Sequence, residues 1–221
     1  MASVKARAAR TVCSLALLVA LAQLGGAQTL VDQILTLVNG NPITRTDLLW
    51  SLALDPRAPS PAGPVGNDLL RQKLEVMIDQ VLIAQEAARV PGAEVTQQEI
   101  DRKRSELIAS FPTEAAFRER VESVGLTPQR IDELIRERIL IDKFIDFRFR
   151  SFVFVRDQEV QSYYQDVLAP QVRARGQVPP PLDQVRQEIT EIIRLDKINE
   201  EIDRYLNTAR QRAEIVQLVE I

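Results

Sequence analysis

The stretch Asn67-Asp68-Leu69-Leu70-Arg71-Gln72-Lys73-Leu74-Glu75-Val76-Met77-Ile78-Asp79-Gln80-Val81-Leu82-Ile83-Ala84-Gln85-Glu86-Ala87-Ala88 decides the fold class. Leu70, Leu74, Met77, Val81, Ala84 and Ala88 recur at steps of four, three, four, three and four. That spacing lays them along one face of an α-helix and does not fit the alternation of a strand. Asn67 is placed to cap the helix, and Pro91-Gly92 to stop it. The expectation is a long helix burying one stripe.

The same punctuation continues on both sides. Downstream, Thr96 with Glu99 three residues later forms a capping box ahead of Ile100, Leu107 and Ile108, in a helix ending near Phe111-Pro112. Thr113 caps a short helix with Phe117 and Val121, which Gly125 ends. Thr127, with Pro128 in the first turn, opens a longer one through Ile131, Leu134, Ile135, Ile139 and Ile141. A modest helix is expected from Asp157 to Leu168, then a stiff connector over 169–181 containing Pro170, Gly176 and Pro179-Pro180-Pro181. The last helix, Leu182 to about Arg212, repeats apolar residues from Val185 to Ala209. Upstream, the four prolines between Pro56 and Gly66 mark an exposed loop, and Thr44 with Asp47 caps a helix carrying Leu48, Leu49, Trp50 and Leu52.

Only the two ends read as strand. Val31, Gln33, Leu35 and Leu37 alternate with Asp32, Ile34, Thr36 and Val38, which predicts a strand with Val31, Gln33, Leu35 and Leu37 as its apolar face. Asn39-Gly40 then predicts a tight turn, and Asn41-Pro42-Ile43 a brief return. The run Ala213-Glu214-Ile215-Val216-Gln217-Leu218-Val219-Glu220-Ile221 is too short to stand alone and needs the hairpin as its partner. The fold class is therefore mostly α: a helical body with a small β-clasp formed by the N-terminal hairpin and the C-terminal strand.

Composition removes several kinds of chemistry. Lys5, Arg7 and Arg10 precede an apolar run from Val12 to Leu24 and the small residues Gly25, Gly26 and Ala27, the pattern of a secretory leader cut after Ala27. The apolar run is shorter than a bilayer-crossing helix, so no stable membrane insertion is expected once the leader is gone. Cys13, the one cysteine, lies inside the leader and is not placed for lipidation. The remaining chain has no Cys and no His, which argues against thiol catalysis, His-dependent acid–base work, Cys- or His-ligated metals and disulfides. No catalytic, cofactor-binding or metal-binding residue is assigned. Removing three cations from 28 leaves 25 against 31 carboxylates, a net charge near −6 that disfavours nucleic acid as a partner. The acidic pairs Asp79 with Glu86 and Glu133 with Glu137 read as solvated helix faces, and Arg173-Ala174-Arg175-Gly176 as a solubilising loop.

The order of parts resembles the SurA-type periplasmic chaperones. The strand ending Val38-Asn39-Gly40 with Pro42-Ile43 and Asp47 is similar to the start of that family. Leu74 to Ile83, Val95 to Ile100, Gly125-Leu126-Thr127 with Ile131, Arg136 and Ile139-Leu140-Ile141, Val160, and Ala213-Glu214-Ile215 follow in the same order. The resemblance spans roughly Val31 to Gln165 and Leu182 to Ile221. It implies a leader over 1–27, a chaperone domain over 28–168, a proline-rich connector over 169–181 and a C-terminal helix and strand over 182–221 that complete the same core. Members of the family commonly carry parvulin-type prolyl isomerase domains between these halves. Here only Asp166 to Pro181 stands in that place, and parvulin sites use histidine, so isomerase activity is not expected to carry over.

The implied function is that of an ATP-independent periplasmic holdase for unfolded envelope or outer-membrane proteins, without cofactor. Such a holdase needs an adaptable apolar groove. Trp50, Phe144, Phe147, Phe149, Phe152 and Phe154 exceed what the helical stripes require and are the candidate peptide-binding residues, with core packing as the competing reading. The alternative function is an envelope adaptor or structural protein that uses the same aromatic surplus to bind one folded partner, or a second copy as a homodimer.

Overall fold

The computed structural model of the chain describes residues 32–90 and 94–221. The leader expected over 1–27, Val31 and the Pro91-Gly92 stop lie outside the described residues.

Asn39 and Gly40 both take positive φ, 51° and 82°, as a two-residue hairpin turn requires. The turn joins β1 (Ile34–Val38) to β2 (Asn41–Thr44). β3 (Ile215–Gln217) runs antiparallel along the other side of β1, giving the order β2-β1-β3. Asn39 fastens this junction twice: its amide donates to Glu214 O at 2.8 Å, and its Oδ1 accepts from the Glu214 amide at 2.9 Å. The expected clasp between the two ends of the body is therefore present.

The faces of β1 differ from simple alternation. Ile34 pairs with Thr44 but Thr36 with Ile43, so Leu35 is an extra residue opposite a single step of β2. This bulge turns Leu35 and Thr36 inward in succession, after which Val38 is buried and Leu37 is only half-buried. The apolar face assigned by alternation, Leu35 with Leu37, is corrected accordingly. Thr36 is the one buried polar residue in the described core, yet no buried side-chain N or O there lacks a partner.

Threonines set the helix starts. Thr44, Thr96, Thr113 and Thr127 each accept the backbone N–H three residues on, opening α1 (Arg45–Ala53), α3 (Gln97–Ala109), α4 (Glu114–Ser123) and α5 (Pro128–Arg148). Asp47 and Glu99 return the bond to complete two capping boxes. α2 spans Asn67–Ala87. Gly66, rather than Asn67, is its N-cap, so the cap makes no side-chain bond.

α6 (Asp157–Tyr163) does not stop at Leu168. It widens into a π turn, Tyr164–Leu168, and continues as α7 (Ala169–Ala174). Part of the expected connector is thus helical. Pro170 explains the widening, because its ring would collide with the carbonyl four residues back in a regular α-helix. The segment 175–181 leads into α8 (Leu182–Arg212), and Tyr164 Oη donates to Pro180 O at 2.7 Å, folding the link back on the helix.

Residues Gln33–Ile221 form one compact unit with three hydrophobic clusters. The first lies under the sheet, where Leu35, Val38 and Ile43 meet Leu48 and Leu52 of α1 and Leu70, Leu74, Ile78 and Leu82 of α2. The second joins α3, α4 and α5 through Ile100, Phe117, Val121, Ile131, Ile135 and Ile139. The third packs Ile83 and Ala87 of α2 against Ile141 and Phe144 of α5, Phe149, and Ile198 of α8.

One arginine ties the proline-rich loop to the body. The Arg120 guanidinium donates to the carbonyls of Leu52 (2.6 Å), Ala53 (3.2 Å), Asp55 (3.0 Å), Ala58 (3.0 Å) and Pro59 (3.2 Å). Those carbonyls belong to the end of α1 and the turn after it, where helical partners run out. Phe111 supports the guanidinium from one side, 5.8 Å from ring centre to charge.

Candidate functional site

A concave groove of about 780 Å³ runs between β2, α1, α2, α3 and α5. Its wall is mostly aliphatic: Ile43, Leu54, Met77, Val81, Ala84, Ala88, Leu107, Leu134, Leu140 and others from the same helices. The groove exists because α2 serves two cores with different faces. Ile78 and Leu82 enter the first cluster, Ile83 and Ala87 the third, and the face between them is left to the opening. The stripe read from sequence accordingly divides. Leu70 and Leu74 are core, whereas Met77, Val81, Ala84 and Ala88 line the groove. The small side chains at 84 and 88 leave space that a leucine at either position would occupy.

The six aromatic candidates are not brought together, and none of them lines the groove. Trp50 packs against the second cluster, donates its indole N–H to Val124 O at 3.1 Å and carries Arg130 over its ring at 5.3 Å. Phe144 and Phe149 are buried and meet edge to face, with Tyr205 of α8 completing the aromatic cluster. Burial raises the Tyr205 hydroxyl above its ordinary range. Phe147, Phe152 and Phe154 are 62%, 67% and 78% exposed, an unusual density of aromatic surface just past the groove end of α5. Sequence reasoning missed the aliphatic groove residues because a groove wall and a core stripe have the same periodicity.

Charge sits along the rim: Asp47, Lys103, Arg130, Glu137 and Arg138, with Gln80 and Gln85 between. Glu137 is an exposed residue whose side chain stands at the concave wall, which removes part of its hydration. Its carboxyl is raised above the usual range by that desolvation and, to a lesser degree, by Asp47 and Glu133, with Arg130 opposing. Such a surface can hold extended apolar segments without reading one motif. Among the described residues no group of three or more Asp, Glu, Cys or His can hold a metal, and no helix is long and apolar enough to cross a membrane.

β2 forms one side of the groove and is a sheet edge, but a poor template for another strand. Val38 and Asn41 close the hairpin, so Leu37 faces Pro42 as the next pair and Pro42 is the position whose N–H would point outward. Proline has none. The Thr44 N–H is taken by Asp47 at 2.9 Å. Recognition at this wall therefore falls to side chains.

No family model matches the chain. The chain is similar to chaperones and foldases. It is 30% identical to the chaperone SurA of Cupriavidus pinatubonensis over 143 residues, which is 63% of this chain and 28% of that protein. The chaperone SurA of Cupriavidus metallidurans is 29% identical over 151 residues, 66% of this chain and 30% of that one. The foldase protein PrsA of Clostridium botulinum is 30% identical over 100 residues, 43% and 30% respectively. The chain thus spans less than a third of the length of these relatives. The likeness is to part of proteins named as chaperone SurA and foldase PrsA.

Proposed function

We propose that the chain is an ATP-independent holdase that takes apolar segments of unfolded envelope or outer-membrane polypeptides into the groove between α2 and α5. The observation that carries this reading is an open aliphatic wall with a charged rim, on a chain similar to chaperones. Weak, adaptable contact suits a client class that shares hydrophobicity rather than sequence. Met77 adds a flexible, polarizable side chain to the wall. Phe147, Phe152 and Phe154 extend the holding surface beyond the groove. Periplasmic location rests on the leader pattern of residues 1–27. Prolyl isomerase turnover forms no part of the proposal.

The test is suppression of light scattering by an unfolded outer-membrane barrel protein and by an unrelated unfolded protein, at equimolar ratio. Suppression of both supports a general holdase, and suppression of the barrel protein alone a dedicated one. Val81→Asp places a charge on the groove wall and should abolish suppression while leaving the helical circular dichroism intact. Unchanged suppression by that variant refutes the groove as the holding site.

The exposed Phe147, Phe152 and Phe154 favour a second reading, an adaptor that binds one folded partner or a second copy. That reading predicts no suppression of either protein, and a defined stoichiometry by light-scattering mass measurement.

A further inference from the structure

Five ionisable side chains line the groove, and four of them are engaged. Asp47 accepts from the Thr44 amide and hydroxyl at 2.9 and 2.8 Å and faces Arg130 at 3.8 Å. Arg130 also meets Glu133 at 3.0 Å. Lys103 and Arg138 share Asp142, at 3.6 and 3.2 Å. Glu137 has no ion pair or hydrogen bond among the described residues. When the counter-ions Glu133 and Asp142 are included, three cations face four carboxylates. The surplus negative charge is that of Glu137.

We propose that Glu137 is a specificity-determining residue of this groove, selecting client segments in which a lysine or arginine is flanked by apolar side chains. The inference rests on the reading of the groove as the peptide-holding site. Glu137 is an exposed carboxylate on a concave, largely aliphatic wall with no partner of its own among the described residues, and an incoming cation supplies one. Lysine and arginine suit the place doubly, because their methylene stems lie along apolar surface while the charged head reaches the carboxylate. Residues on either side of the cation meet Val81, Ala84, Leu134 and Leu140. The same charge rejects segments that bring an aspartate or glutamate to that position.

The experiment measures fluorescence anisotropy of three labelled peptides of leucine and valine that differ only in a central lysine, norleucine or glutamate. The purified protein should bind the lysine peptide about fivefold more tightly than the norleucine peptide, and the glutamate peptide least well. Glu137→Gln should bring lysine and norleucine within about twofold of each other. Glu137→Lys should invert the order in favour of glutamate, a gain that a damaged protein does not produce. Equal binding of the lysine and norleucine peptides by the unaltered protein overturns the proposal, as does a lysine preference that survives Glu137→Gln. If Val81→Asp leaves norleucine-peptide binding unchanged, the groove itself is not the site and the underlying functional reading fails instead.

Discussion

Replacing Arg120 by alanine should be among the more destabilising single changes in a residue that is not part of the apolar core. Five carbonyl oxygens accept from this guanidinium, at 2.6 to 3.2 Å, and four of those bonds are partly buried. Leu52 O, which keeps only the Asp55 amide at 3.2 Å, and Ala53 O end α1 over a buried cluster, so each loses about 1 kcal/mol net with its arginine bond. The remaining carbonyls are nearer water and contribute little. Loss of a cation at the helix C-terminus adds about 0.5 kcal/mol, and loss of the contact with Phe111 about as much again. The sum is about 3 kcal/mol, which for a urea dependence of about 2 kcal/mol per molar lowers the unfolding midpoint by about 1.5 M. Lysine should recover less than half, since one ammonium has three donors and no planar fork. Urea titration followed by circular dichroism at the helical band measures all three proteins. A loss below about 1 kcal/mol refutes the reasoning, because it means water serves these carbonyls as well as the arginine does.

Three further outcomes follow from the same geometry. Gly40→Ala forces a side chain onto a φ of 82° and should lower stability by about 1 kcal/mol in the same titration. Glu99 is held at about 2, below its usual 4.5, first by Lys143 and then by the Thr96 amide and hydroxyl. A depressed carboxyl contributes stability above its unfolded value, so this contribution should be present above pH 4.5 and fade as pH falls toward 2. In Glu99→Gln the pH dependence across that window should flatten, as followed by the thermal midpoint. Changing Phe147, Phe152 and Phe154 together to serine should leave the thermal midpoint nearly unaltered, since all three are exposed, while weakening suppression of client aggregation. A large fall in the midpoint would instead make them structural.

Much of the fold is readable because its signals are local. Thr44, Thr96, Thr113 and Thr127 announce helices by the chemistry of the first turn alone, and Asn39-Gly40 announces the hairpin by its backbone freedom. The β1 faces were less legible, since the bulge at Leu35 arises from pairing with β2 and leaves no mark in the alternation itself. The π turn at Tyr164–Leu168 was foreshadowed only by Pro170, which reads equally as a connector residue. The groove was legible as apolar periodicity but not as a groove. Whether Val81 is covered depends on how far α5 stands from α2, and that distance is set by Ala84, Ala88 and the division of α2 between two clusters. The aromatic surplus shows the same limit, because Phe144 finds Phe149 and Tyr205 while Phe154 finds solvent.

The fastening of Asn39 to Glu214 also governs the order in which the molecule can assemble. These residues are 175 apart in sequence, and β1 has only the two-residue turn and β2 to pair with until β3 arrives. The helices can form early from their own capping boxes, but the seam between the first and last strands must wait for the most distant encounter in the unit. Closure should therefore be the slow step of refolding. A chain caught before it would expose the far edge of β1, which makes the interval before closure the time when this protein itself most needs shielding.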